Sequence, residues 1–161
     1  PSVVEQVRQA VADWPGDPIL QVVKNLNHAT QLVEKRTAFA AADVALAASG
    51  TVSLELAAAG TPMVVAYDMA WLSRLIIGRL LRTDTVTLVN LVSETRAVPE
   101  FIGAACKPPA IVVAIQEVWA RPEVQASAMQ DTMLKLGLGG KDPGMRAAQA
   151  VLDGINLKPA A

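Results

Sequence analysis

Apolar and polar positions alternate along this chain in blocks whose spacing predicts a series of helices and short strands. Val4, Val7, Val11 and Trp14 recur at steps of three and four, which predicts an amphipathic helix over 2–13. Trp14-Pro-Gly-Asp-Pro18 is a turn. Ile19 to Val23 reads as a short apolar strand, Lys24 to Gln31 as polar and irregular, and Glu34 to Ala42 as a helix with Phe39 facing the core. The centre of the chain is the clearest part. An apolar run, Val44 to Ala48, stops at Ser49-Gly50-Thr51. A helical segment, Val52 to Ala59, follows and ends at Gly60, where a residue free to take positive φ is needed. Pro62 then opens a second apolar run, Met63 to Ala66. Strand, turn, helix, turn and strand in that order predict a parallel sheet flanked by helices, an α/β fold of the Rossmann-like kind.

Beyond Tyr67 the pattern is less regular. Asp68 to Arg82 reads as a helix whose large apolar residues surround much of its circumference and are interrupted by Arg74, Arg79 and Arg82. It fits a buried helix with snorkelling arginines. It also fits an interfacial helix for a lipid or a membrane surface, with Trp71, Leu72, Arg74, Leu75, Ile76 and Arg79 as the contact residues. Val86-Thr-Leu88 is β-rich, and Val89 to Arg96 reads as a loop. Asn90, in its first turn, offers both a donor and an acceptor for a ligand, or for a local Asx turn. Val98-Pro-Glu-Phe101 resumes ordered chain. Pro108 and Pro109 open a helix to Ala120, Pro122 opens another to about Leu136, Gly137 to Gly140 breaks it, and Pro143 to Leu152 forms the last. Residues 108–161 are therefore expected to be a helical C-terminal segment.

Composition narrows the function. The chain has 161 residues, 52% of them hydrophobic but only 4% aromatic, as expected for helices on a buried parallel sheet. Its formal net charge is −1 and no Lys/Arg cluster dominates, which argues against a nucleic-acid partner. One cysteine, Cys106, and one histidine, His28, exclude a disulfide framework and multi-cysteine or paired-histidine metal motifs. No metal and no cofactor is expected. No signal peptide or long apolar run appears, so a cytoplasmic setting is expected. Pro1 opens the chain in what reads as mid-helix, and a segment of a longer protein is therefore expected.

The turn at Ser49-Gly50-Thr51 is the candidate site. A helix beginning at Thr51 leaves its first amides without intrahelical partners, and its dipole adds partial positive charge there. Together these suit a phosphate, and Gly50 lets it approach closely. Glu55 lies one turn further along the same helix face, where it suits a ribose diol rather than a phosphate. A nucleotide diphosphate or nucleotide sugar satisfies both features. The same residues also fit an ordinary N-cap with a first-turn carboxylate.

Ala48-Ser-Gly-Thr-Val-Ser-Leu-Glu55, Gly60-Thr-Pro-Met-Val-Val-Ala-Tyr67, Val89-Asn-Leu91 and Val98-Pro-Glu-Phe101, in this order and spacing, resemble the C-terminal half of lipid-A-disaccharide synthases. The resemblance is specific from about Phe39 to Phe101. It implies the C-terminal, UDP-sugar donor-binding domain of a glycosyltransferase-B architecture, here incomplete on its N-terminal side. It implies hexosyl transfer from UDP-2,3-diacylglucosamine to 2,3-diacylglucosamine 1-phosphate, with release of UDP, in lipid A biosynthesis. The partners implied are that donor, an acylated glucosamine phosphate acceptor and the inner face of the cytoplasmic membrane of a Gram-negative cell; a homo-oligomer is admitted. Ser49, Gly50 and Thr51 would meet the diphosphate, Glu55 the ribose, and Asn90 the donor in the cleft. The catalytic base is implied to lie outside this chain, so the chain alone is expected to be inactive. Departures from the family pattern are Asp68 where a basic residue is usual, Val89 in place of proline, and Glu94-Thr95 in place of Gly-Arg. Two alternatives remain at this point: another UDP-N-acetylglucosamine-using transferase or epimerase of the same fold, and a non-catalytic α/β interaction domain.

Overall fold

The computed structural model describes residues 2–20, 28–48, 50–68, 84–140 and 143–156. The chain divides into two compact units, Pro1–Thr37 and Ala38–Ala161. In the first, α1 spans Val3–Val11. Ser2 caps it: its Oγ accepts the Glu5 amide at 3.3 Å, which satisfies one of the orphan donors of the first turn. Helix α2 spans His28–Ala40 and runs across the division between the units.

The second unit holds the sheet. Strand β1 is Ala45–Ala47, β2 is Met63–Tyr67 and β3 is Glu100–Ile102. The sheet has three strands in the order β1-β2-β3, all parallel. Ala45 pairs with Met63 and Ala47 with Val65 on one side; Val65 pairs with Glu100 and Tyr67 with Ile102 on the other. Parallel strands require crossovers. Helix α3, Val52–Ala59, connects β1 to β2, and α4, Leu88–Ser93, precedes β3. After a short 3₁₀ turn, Gly103–Ala105, come α5, Pro108–Ala120, α6, Glu123–Lys135, and α7, Pro143–Asn156.

Alternation along β2 distributes its side chains to the two faces of the sheet. Met63 and Val65 pack with Leu56 and Ala57 of α3, Val89 of α4, Val98, and Ala128, Met129 and Met133 of α6. Val64 points the other way, against Ala114 and Val118 of α5. All three β2 residues are fully buried, as the central strand of a covered parallel sheet should be. Phe39 packs on the first cluster, as its spacing predicts.

The strand–turn–helix–turn–strand unit lies where the pattern predicts it, and Gly60 closes α3 at φ 74°. Three expectations are corrected. First, α2 begins at His28, inside the stretch read as irregular; residues 24–27 lie outside the described residues. Second, Val86-Thr-Leu88 is not a strand and the following stretch is not a loop, because Leu88–Ser93 is helical. The third strand is instead Glu100–Ile102. Third, α7 continues to Asn156, four residues beyond the expected end at Leu152. Ile19 and Leu20 are not in a strand, and the rest of that expected strand, with the helix expected over 68–82, lies outside the described residues except for Asp68.

Candidate functional site

In a parallel α/β sheet, ligands settle at the carboxyl edge of the strands, where each chain leaves its strand for a helix. The turn after β1 is at that edge. Gly50 there has φ 130°, in the region that favours glycine, and a Cβ at this position would meet no atom of the described residues within 4 Å. The backbone thus faces open space, accessible to a ligand. Thr51 is exposed and helical, and its hydroxyl makes no capping bond. Leu54 donates to Thr51 O at 3.0 Å and Glu55 at 3.3 Å, so the first turn is formed. Among the described residues, no protein acceptor is paired with the amides of Thr51 and Val52. Ser49 lies outside the described residues.

Ser53 contributes to this turn, a role the sequence pattern gave no reason to assign. Its hydroxyl is buried and donates to Gly50 O at 2.9 Å. That bond holds the Gly50 carbonyl down onto the helix, away from the mouth. A serine one turn into a helix is ordinarily neutral or mildly unfavourable, and its spacing to Gly50 is the only available signal. Glu55 is half-buried on α3.

Asn90 is fully buried in α4. Its Oδ1 accepts the Val98 amide at 2.9 Å, and its Nδ2 donates to Val98 O at 2.9 Å and to Thr85 Oγ1 at 3.2 Å. The side chain thus binds the Val98 backbone as a strand residue would, and it is turned to the interior rather than to the mouth. The Thr85 hydroxyl donates in turn to Glu100 Oε2 at 2.6 Å. Glu100 Oε1 accepts the Val86 amide at 3.0 Å and also the Thr87 amide. A single network therefore ties the approach to α4 to the start of β3. In the sequence Glu100 belongs to the Val98–Phe101 motif, and an acidic residue inside an apolar strand is the signal that marks it.

Trp71, Leu72, Arg74, Leu75, Ile76 and Arg79 lie outside the described residues. Among the described residues, no group of His, Cys, Asp and Glu side chains could hold a metal ion, and no helix is long and apolar enough to cross a membrane. A small cavity of about 110 Å³ is lined by Pro99, Val118, Arg121 and Gln125. Pro99 precedes β3, so this cavity opens at the amino edge of the sheet, opposite the Gly50 turn.

The sequence profile of the family described as Lipid-A-disaccharide synthetase matches residues 7–149. The chain belongs to that family. It is 60% identical over 153 residues to the lipid-A-disaccharide synthase of Ruegeria pomeroyi, covering 95% of this chain and 38% of the relative. With the enzyme of the same name from Paramagnetospirillum magneticum it shares 40% over 159 residues, 96% of this chain and 38% of the relative. For the Bradyrhizobium diazoefficiens enzyme the figures are 38% over 157 residues, 94% and 38%. The chain thus spans under two-fifths of the length of these relatives. The family resemblance carried by the Ala48–Glu55 and Gly60–Tyr67 motifs is borne out.

Proposed function

We propose that this chain is the UDP-sugar donor-binding part of a lipid-A-disaccharide synthase. In this reading Ser49, Gly50 and Thr51 receive the diphosphate at the amino end of α3, and Glu55 accepts hydrogen bonds from the ribose hydroxyls. The observation that carries it is the turn itself: an open glycine at φ 130° and an uncapped Thr51 at the carboxyl edge of β1, within the family's motif. The N-terminal partial charge of α3 offsets the charge that grows on the departing diphosphate. The acceptor hydroxyl oxygen forms a bond to the anomeric carbon, the bond from that carbon to the β-phosphate oxygen breaks, and UDP leaves with the electron pair. The hydroxyl proton passes to a base outside this chain. Asn90 serves the donor through the shape it imposes on residues 85–98, since both ends of its amide are committed within the protein.

Both substrates of this reaction are acylated, which supports a site at the inner face of the cytoplasmic membrane. The arginines and large apolar residues in the sequence from Trp71 to Arg79 have the composition that such a contact needs. By itself the chain would bind UDP weakly at most and transfer no sugar.

Glu55→Gln tests the donor reading. Calorimetric titration with UDP should show weaker binding in the variant, because a carboxylate accepts from a diol more strongly than an amide does. Equal affinity for the two chains would mean that Glu55 is only a first-turn carboxylate. Donor preference is tested on the protein completed to the length of its relatives: transfer from acylated but not from non-acylated UDP-glucosamine is expected.

A further inference from the structure

The strongest unexplained feature is the carboxylate of Glu100. It stands on β3, facing the same side of the sheet as α3 and α4, where the neighbouring positions Val65 and Ile102 are apolar. It accepts from the Thr85 hydroxyl and from the Val86 and Thr87 amides. Thr85 also accepts from Asn90, which clasps Val98. These bonds fix residues 85–90, the stretch that leads into α4. Helix α4 packs against α3, whose first turn is the Gly50–Thr51 site. An anchored α4 therefore supports α3, where Leu56 and Ala57 share a buried cluster with Val89.

We propose that Glu100 is a positioning residue for the nucleotide: without touching it, its carboxylate sets the placement of residues 85–90 and so the support that α4 gives to α3, the helix that starts at the Gly50–Thr51 turn. This rests on the donor reading given above. The chemistry of the network makes the carboxylate specific. A glutamine at this position could turn its oxygen to the two amides, but its NH2 would then face the Thr85 hydroxyl. That hydroxyl already accepts from Asn90 and would lose the acceptor for its own proton. The bonds cannot all be kept, and the segment shifts.

The experiment compares UDP binding and melting temperature in the wild-type chain, Glu100→Gln, Thr85→Val and Gln125→Ala. The last variant breaks a buried clamp on β2 that has no part in the network. All are measured well below their melting temperatures, by calorimetry and by backbone amide shifts. Glu100→Gln and Thr85→Val should weaken UDP binding by about tenfold, the scale of one lost hydrogen bond to a charged group. Gln125→Ala should melt earlier and bind UDP as the wild type does. If Glu100→Gln binds UDP with wild-type affinity, or weakens it only as much as Gln125→Ala does, Glu100 is a purely structural residue and the inference is overturned. If the wild-type chain itself fails to bind UDP at millimolar concentration, the donor reading falls, and the inference with it.

Discussion

The carboxamide of Gln125 takes the place of a strand beside Met63. Its Oε1 accepts the Met63 amide and its Nε2 donates to the Met63 carbonyl, both at 2.9 Å. Strand β3 begins too late to do this: its ladder to β2 starts with Val65 donating to Pro99 O at 3.0 Å. Both residues are buried, so the alternative to this bond pair is two backbone groups without partners. Gln125→Ala removes both partners at once, and should destabilise the chain by about 2–4 kcal/mol, since each buried group left unsatisfied costs about 1–3 kcal/mol. Equilibrium unfolding in urea measures it.

Asn90 offers a related prediction. Asn90→Asp keeps the acceptor for the Val98 amide but places oxygen against the Val98 carbonyl and loses the donor to Thr85. A loss of about 2–3 kcal/mol is expected, as for a buried polar group deprived of its partner. Urea unfolding at neutral pH should show it, and the loss should shrink as acid protonates the new carboxyl.

Thr87 reverses the sign. It is 1% exposed, and its hydroxyl has no hydrogen-bond partner among the described residues, whereas its amide is held by Glu100. Thr87→Val keeps the shape and removes the unsatisfied hydroxyl, so the variant should be as stable as the wild type or more stable by about 1 kcal/mol. A lower melting temperature would show that the hydroxyl has a stabilising partner.

The Asp84–Arg96 pair gives a pH dependence. Arg96 Nε donates to Asp84 Oδ2 at 3.1 Å, and this guanidinium is the main reason that the Asp84 carboxyl titrates below its ordinary value of 3.8. A carboxyl whose folded-state pKa is depressed stabilises the fold above its unfolded-state value, and the contribution disappears as pH falls through the folded-state value. The pair's contribution should therefore be complete at neutral pH and vanish only below 3.8. Because Asp84 is exposed, the effect on the melting temperature should be small and reduced by salt. Carbon-13 titration of the Asp84 carboxyl should give a pKa below 3.8, moving back toward it in Arg96→Gln.

The central unit of the fold could be read from sequence because its signals are local. Gly60 supplies the positive φ that ends α3, Pro62 precedes β2, and the apolar runs on either side are those of buried strands. The third strand was hidden by its own chemistry. Glu100 breaks its apolar pattern, and the strand is only Glu100–Ile102. Val86 and Thr87 have strand propensity, yet their amides are taken by the Glu100 carboxylate, not by a neighbouring strand. Tertiary context decided there, as it commonly does for short β-rich stretches. The start of α2 was missed because His28 to Gln31 carries little apolar periodicity. Around the candidate site, the turn at Gly50 and the helix that follows it were legible from local pattern, whereas the inward orientation of Asn90 was not: its partners, Val98 and Thr85, are contacts made by folding.

The most direct measurement of the central claim is a map of backbone amide shifts during UDP titration of the labelled chain. The account predicts saturable shifts centred on Gly50, Thr51 and Val52, extending to Glu55, with Pro99 and Gln125 surroundings unaffected. Shifts that leave Gly50 to Val52 unmoved, or that gather instead around Val118 and Arg121 at the amino edge of the sheet, would contradict it.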